Sequence, residues 1–429
     1  MRTARKRLGE AGHDSGELRD RDGMAKKAVE VRALPVGQGD AFLARCRGFT
    51  ALIDGGRSRR RLPLLLPKVV RAHGVDVLVC THNDADHADG VWGFLEAGLP
   101  CEEVWLPGTW TSRLDDLLLR PREFAEELVR DIDSVPDEAA VTLETIALGE
   151  ASRPEGGRRE GNPDEARRFI GELLDLASWI DRFIVWPPWR AIPRPRMPLL
   201  IEALAAGERI RRIAMAAHAA GVPIRWLEYG DGHHRAGPLT CINAHELVAM
   251  PGGMSALVYL SLTVQNKQSL VCTLTPDGAP AALFTADSDL TFRNPVPWSR
   301  GMLITAPHHG SDANAAAYQR AAREHKGPAL WVRSDGWYKS RPGSHYTKQE
   351  VRYCTRCRRT RTVQEIVVVA RGQQWEAPGI SPCSCAGHVT VDDKRVRQLA
   401  EQLERRALPT TPTESGPSAA ERFRIKWGG

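Results

Sequence analysis

Apolar and polar positions divide the chain into two series of short strand-like runs, separated by a long stretch of helical periodicity. From Val29 the order is strand (VEVRAL), glycine-rich turn (VGQGD), strand (AFLARC), turn and strand (TALIDGG). Amphipathic spacing predicts a helix over Leu64–His73, and the short β-branched run Val75–Cys80 predicts a buried strand. A helix with Val91, Phe94 and Leu95 on one face follows, then a strand in EEVWLPG, Glu102–Gly108. From Leu114 to about Val222, Glu, Arg, Leu and Ala recur at helical spacing and predict a helical insertion. An Arg/Gly/Glu-rich loop, Ala151–Arg168, and a proline-rich break, Trp186–Pro198, interrupt it. Strand character returns at Ile224–Tyr229, Leu239–Asn243, Ala256–Val264, Ser269–Thr275, Ala281–Asp287, Gly301–Ser311, Ala329–Gly336 and Glu365–Ala370. The second series predicts a duplicated α/β sandwich. The Pro/Ser/Thr-rich tail from Leu408 predicts disorder.

A chain of 429 residues is long enough for a large core and more than one structural unit. No apolar run reaches the roughly 20 residues that span a bilayer, so no membrane association is expected. Met1–Lys27 is charged and lacks an apolar core, which argues against a secretory signal. The net charge of +6 permits an anionic substrate without demanding nucleic acid. Of nine cysteines, Cys46, Cys80, Cys101, Cys241 and Cys272 lie in mostly apolar, strand-like contexts and read as buried thiols. Cys354, Cys357, Cys383 and Cys385 form a separate cluster, which favours metal binding in a reducing cytoplasm.

The densest chemistry is VLVCTHNDADHADG, Val77–Gly90, where His82, Asp84, Asp86 and His87 fall within six consecutive residues after a strand. Four ionisable groups packed this closely repel one another unless a cation collects them, and zinc and manganese both accept mixed N/O ligands. The competing reading is a loop in which Asp84 or Asp86 caps the helix. Asp287 closes one apolar strand (LFTADSD), and His308 and His309 close another (ITAPHHGS). Gly37 and Gly39 permit a sharp turn and a close approach, and Asp54 ends its strand where it could hold loop amides; plain hairpin chemistry explains both equally well. The Trp and Arg residues of Trp186–Pro198 could stack on nucleic acid, or simply pack within a proline-rich loop. Cys354-Thr-Arg-Cys357 and Cys383-Ser-Cys385 flank a strand and can close a tetrahedral structural zinc site, in which His388 could replace one thiol. Arg352, Arg356, Arg358, Arg359 and Arg361 beside it make either an anion-binding patch or a solvated face.

The ordered stretches VGQGDAFL, LIDGG, THNDADHADG, VQNKQSLVCTL, LFTADSD and APHHGS resemble the metallo-β-lactamase fold superfamily, and within it the soluble hydrolase domain of DNA-uptake competence (ComEC-like) proteins. The resemblance implies a four-layer αββα sandwich over 28–350, interrupted by the helical insertion at about 114–222. Outside it lie a tail at 1–27, a zinc-ribbon-like module at 351–392, and a helix with a disordered tail at 393–429. His82 and Asp84 would ligate a first divalent metal, Zn2+ or Mn2+, and Asp86, His87 and His308 a second, with Asp287 bridging. His245 is the candidate for the third ligand of the first metal. Asp54 would brace the metal loop, His345 would reach toward substrate, and Gly37, Asp40, Asn266, Ser269 and His309 would support the site. The activity implied is hydrolysis by a metal-bound hydroxide, with Asp86, Asp287 and His345 catalytic. A phosphodiester in nucleic acid or a nucleotide is the leading substrate class. Hydrolysis of a carboxylic ester, lactone or amide, or a binding scaffold with a degenerate metal site, are the alternatives.

Overall fold

The computed structural model describes residues 29–70, 74–134, 197–248, 255–260, 268–325, 327–336, 341–357 and 362–385. Ala151–Arg168, residues 186–196 of the proline-rich break, Asn266, Arg358, Arg359, Arg361, His388 and both tails lie outside them. Among the described residues no helix is long and apolar enough to cross a membrane.

The fold is mixed α/β, with two mixed sheets and flanking helices. The strands are β1 (Val29–Ala33), β2 (Phe42–Cys46), β3 (Phe49–Ile53), β4 (Val75–Val79), β5 (Cys101–Pro107), β6 (Ile224–Tyr229), β7 (His234–Ala236), β8 (Leu239–Cys241) and β9 (Ala244–Glu246). They continue with β10 (Cys272–Leu274), β11 (Ala282–Phe284), β12 (Leu303–Thr305), β13 (Leu330–Arg333), β14 (Val351–Cys354), β15 (Arg356–Cys357), β16 (Thr362–Val363), β17 (Ile366–Arg371) and β18 (Gln374–Glu376). The nine-stranded sheet runs β18-β17-β1-β2-β3-β4-β5-β6-β9, and the seven-stranded sheet runs β14-β13-β12-β11-β10-β8-β7. In the first, β3 to β6 are mutually parallel. In the second, β11 to β14 are parallel.

Period-2 alternation explains why both sheets are buried. Ile53, Val77, Val79 and Trp105 of the larger sheet share one core with Cys272, Phe284, Leu303 and Val332 of the smaller. The intervening Leu52, Leu78, Val104 and Leu106 pack instead with Phe94 of helix Ala85–Glu96, Leu128 of helix Pro121–Ser134 and Ile210 of helix Met197–Ala219. A third core sets Leu283, Ile304 and Trp331 against Tyr318 of helix Ala315–Glu324. The helical insertion is thus helical at both described ends, by Thr111–Leu119, Pro121–Ser134 and Met197–Ala219.

Two sequence readings change. The strand expected at Ala256–Val264 begins as a short helix, Ala256–Tyr259, capped by the Ser255 hydroxyl. The reason is tertiary: the backbone N–H groups of Ala256 and Leu257 donate to Glu127 and Asp131, carboxylates that local propensity cannot anticipate. The segment expected to form a separate zinc module instead supplies strands to both sheets. β14 extends the smaller sheet beside β13, and β17 pairs with β1 in the larger.

The first two loops close on the metal-loop candidate by contacts that only glycine permits. A Cβ on Gly39 would sit 1.7 Å from the Asp86 carbonyl oxygen, and Asp40 N–H donates to that same oxygen. Gly55 and Gly90 likewise meet backbone to backbone. Gly39→Ala is therefore expected to cost about 1–3 kcal/mol through overpacking, on top of strain at a φ of +95°. Gly48, with a φ of +92° and nothing within 4 Å, supplies the control. In urea unfolding, Gly39→Ala should lose clearly more stability than Gly48→Ala, and equal losses would refute the close approach.

Candidate metal centre

Strands deliver the site and loops hold it. β3, β4, β11 and β12 end at Ile53, Val79, Phe284 and Thr305, and the side chains at issue follow those ends, the usual place for sites in α/β sheets. Asp54, held at a φ of +59°, takes three hydrogen bonds at 2.8 Å. The donors are the Thr81 amide, the Thr81 hydroxyl and His87 Nδ1. The buried aspartate therefore fixes both ends of the segment that carries His82, Asp84 and Asp86.

These bonds assign the imidazole tautomers. Because the Thr81 hydroxyl gives its proton to Asp54, His82 Nδ1, 2.9 Å from that hydroxyl, is the donor to it. His87 Nδ1 donates to Asp54 and His309 Nδ1 to Asp40 at 2.9 Å. His308 Nδ1 donates to Asn314 Oδ1 at 2.9 Å, since the Asn314 amide nitrogen is engaged with the Asp287 carbonyl. All four Nε2 lone pairs are left to face one carboxylate. From Asp287 Oδ1, His87 Nε2 is 3.1 Å and His309 Nε2 3.7 Å; from Oδ2, His308 Nε2 is 3.4 Å and His82 Nε2 3.7 Å. His82 Nε2 and Asp287 Oδ1 are buried with no hydrogen-bond partner, and His87 and His309 oppose their Nε2 atoms at 3.1 Å. Acceptors aimed at acceptors in a buried site are satisfied by protons or by metal cations between them, and this cluster could hold metal ions. The pattern of imidazoles backed by carboxylates is the one that orients histidines on a metal.

Burial opposes charge here, but the neighbours win. Against desolvation, Asp287 and Asp54 hold His87 well above the ordinary imidazole range, and Asp40 and Asp287 do the same for His309. Likewise His309, His87 and Arg341 hold Asp86, and His308, His87 and His309 hold Asp287, well below the usual carboxylate range. Desolvation raises Asp40.

The convergent atoms fall on two sides of Asp287. His82 and His308 approach Oδ2, with Asp84 Oδ2 3.8 Å from His82 Nε2. His87 and His309 approach Oδ1, with Asp86 Oδ2 3.4 Å from His309 Nε2. Asp84 occupies the N-cap position of its helix but makes no side-chain cap bond, so capping does not account for it. The sequence assigned His308 to the side of Asp86 and His87 and gave His309 a supporting role. The structure brings His309 within 3.4 Å of Asp86 and Nε2 to Nε2 with His87, whereas His308 approaches the other oxygen of Asp287 at 3.4 Å. Both histidines have left-handed backbones, with φ of +47° and +52°, so a single turn sends adjacent side chains to opposite carboxylate oxygens. His245 is not brought to this centre: it lies on β9 opposite Glu228, its side chain 40% exposed, outside each group of converging ligand atoms.

The supports are more numerous than the sequence suggested. Gly37, with a φ of +102°, turns the first loop. Ser269 is buried, accepts from Asn243 through its carbonyl, and precedes Leu270, whose N–H donates to the Thr81 carbonyl. His345 is bound through Nδ1 to Asp312 at 2.8 Å, and its loop is tied to the histidine turn where Gly343 N–H donates to Gly310. Sequence reading missed Arg209, on helix Met197–Ala219, which donates to Asp89 at 2.6 Å and to the Asn83 carbonyl at 2.5 Å. It also missed Arg333, Asp335 and Arg341. Arg333 donates to the His309 carbonyl at 2.6 Å and to Asp335 at 2.7 Å, and Arg341 lies 3.9 Å from Asp86 and 3.5 Å from Asp335. Isolated arginines, whether in a helix, at a strand end or in a loop, carry no spacing signal that would reveal these roles.

No family model and no curated protein matches the chain.

Two outcomes are expected. Loading the metal-free protein with Zn2+ at neutral pH should release at least one proton, because His87 and His309 sit above their ordinary range and must lose protons to coordinate. Affinity should therefore rise with pH, which calorimetry in buffers of differing ionisation heat measures. In metal analysis, His309→Ala should lose bound metal, whereas His245→Ala should keep the full content; the reverse result would reinstate His245.

Proposed function

We propose that the chain is a metal-dependent hydrolase of the metallo-β-lactamase type, with the two sheets and their flanking helices forming the four-layer αββα sandwich. The observation that carries this reading is the set of four Nε2 lone pairs turned onto the buried Asp287 carboxylate. His82, Asp84 and His308 would hold one divalent metal, Asp86, His87 and His309 another, and Asp287 would bridge. Zn2+ and Mn2+ both suit this N/O set. Such a pair, when bound, supplies Lewis acidity and an activated water at neutral pH.

The chain's own groups do the remaining work. Asp54 and Asp40 keep the His87 and His309 lone pairs aimed inward by holding their Nδ1 protons. Burial of His82, His87 and Asp287 excludes bulk water from behind the reacting centre, while the less buried Asp84, Asp86 and His308 mark the side open to substrate. His345 is the candidate to hand a proton to the leaving group. Its Nδ1 is committed to Asp312 and its ring stacks on Tyr318 at 5.8 Å, which leaves Nε2 for transfer.

The likeness of six ordered motifs to competence-type hydrolases supports a phosphodiester, in nucleic acid or a nucleotide, over an ester, lactone or amide. The scaffold alternative draws on a missing ligand beside His82 and Asp84; in this reading His308, 3.4 Å from Asp287 Oδ2, would supply it. Purified protein with Mn2+ or Zn2+ should cleave at least one of single-stranded DNA, double-stranded DNA, RNA and cyclic nucleotides. Asp287→Ala and Asp86→Ala should each abolish that turnover, and Asp54→Asn should weaken metal binding by about 10–100-fold. Turnover indifferent to metal, or to Asp287→Ala, would end the proposal.

A further inference from the structure

The four clustered cysteines belong to neither metal position above, yet they lie one residue from the framework that seats His309. Cys354 closes β14, Cys357 closes β15, and Cys383 and Cys385 stand on the segment that returns past Arg352. None of the four is in a disulfide. Cys354 and Cys385 sulfurs are 3.9 Å apart and those of Cys357 and Cys383 3.0 Å apart. Cys354, Cys383 and Cys385 present sulfurs all within 4.8 Å of one another. A tetrahedral ion with Zn–S bonds of about 2.3 Å separates its sulfurs by about 3.8 Å, whereas a disulfide requires about 2.05 Å. Neither spacing is covalent; Cys354, Cys383 and Cys385 already converge as ligands of one ion would, and Cys357, beside Cys383, stands where it could complete the set.

Donors stand around the turn that carries the sulfurs. Cys385 N–H points at the Cys383 sulfur at 3.4 Å, and Arg352 reaches over the turn to the Cys385 carbonyl at 3.1 Å while its Nε–H is buried without a hydrogen-bond partner. Thr355, between Cys354 and Cys357, then carries the connection inward. Its N–H donates to the Arg333 carbonyl at 3.0 Å, and its hydroxyl accepts from the Asp335 N–H at 3.3 Å. Arg333 donates to the His309 carbonyl, and Asp335 Oδ1 and the Ser334 hydroxyl hold the two backbone groups of Gly39, next to Asp40.

We propose that Cys354, Cys357, Cys383 and Cys385 bind one zinc ion as thiolates, and that this ion is a strut. It fixes Thr355 against the Arg333–Asp335 turn and so positions both His309 and the Asp40 loop that orients it. The strut role rests on the reading of the His/Asp cluster as a metal centre; the thiolate site does not. Coordination exchanges the thiol protons for the cation and involves no oxidant.

The metal-stripped, reduced chain is titrated with Co2+, which reports thiolate ligation by charge-transfer absorption. One equivalent of thiolate-bound cobalt is expected, lost in Cys354→Ser and in Cys383→Ser and retained in a His87→Ala/Asp287→Ala double variant. Absence of the absorption, its persistence in the cysteine variants, or a zinc-free Cys357–Cys383 disulfide in protein purified without reductant overturns the site. Thr355→Val tests the strut without touching a thiol. It should keep the cobalt–thiolate absorption while weakening Mn2+ binding at the His/Asp cluster by about tenfold or more, and Thr355→Ser should restore it. Unchanged Mn2+ affinity in Thr355→Val overturns the strut.

Discussion

Four histidines that give their Nδ1 protons outward and turn their Nε2 lone pairs inward make the constraint on which the rest of this structure depends. The outward acceptors, Thr81, Asp54, Asn314 and Asp40, come from four separate places in the chain and are all buried. Each removes one tautomeric freedom. Together they leave a buried carboxylate ringed by acceptors, an arrangement that costs several kcal/mol per uncompensated charge unless cations are supplied. The loops, glycine contacts and strained residues serve to keep that ring closed. Asp54, Ala286, His308 and His309 all adopt left-handed backbones beside it. Such conformations cost about 1–3 kcal/mol each and persist where the surroundings overdetermine them.

Much of this was legible in the sequence, and for a definite reason. The cluster His82–Asp84–Asp86–His87 shows because its ligands are close in sequence and follow a β-branched run. Asp287 and His308 show because apolar strands end just before them. What could not be read was the division of labour between His308 and His309. Adjacent residues normally point apart by rules that hold for strands and helices, and a left-handed pair obeys neither. His245 looked suitable because it follows a strand-like run, but a strand end is informative only when it lies beside the other ends. β9 lies at the edge of the larger sheet, away from β3 and β4 in strand order. The Ala256 segment failed for a related reason, since distant carboxylates cap its N–H groups and override local preference.

The helical insertion, which the sequence set apart, is part of the site's foundation. Arg209 from helix Met197–Ala219 is buried, and it holds both the Asn83 carbonyl, between His82 and Asp84, and Asp89, just beyond His87. Asn83 answers by donating to the Ala206 carbonyl. A segment that interrupts the strand pattern therefore has a direct mechanical grip on His82 and Asp84.

The pairing of β17 with β1 places nearly the whole described chain between two neighbouring strands. During synthesis, β1 emerges early and waits with one edge open until residues beyond 366 leave the ribosome. Long-range pairing of this kind folds slowly, and an open edge invites contact with other chains in the interval. Because β18 also sends Trp375 Nε1 to the carbonyl of Ala281, just before β11, the last strands of the described residues fasten the two sheets together. A ribosome that stops before this hairpin is made releases a chain holding every histidine of the centre, yet lacking the strands that hold its two halves in register.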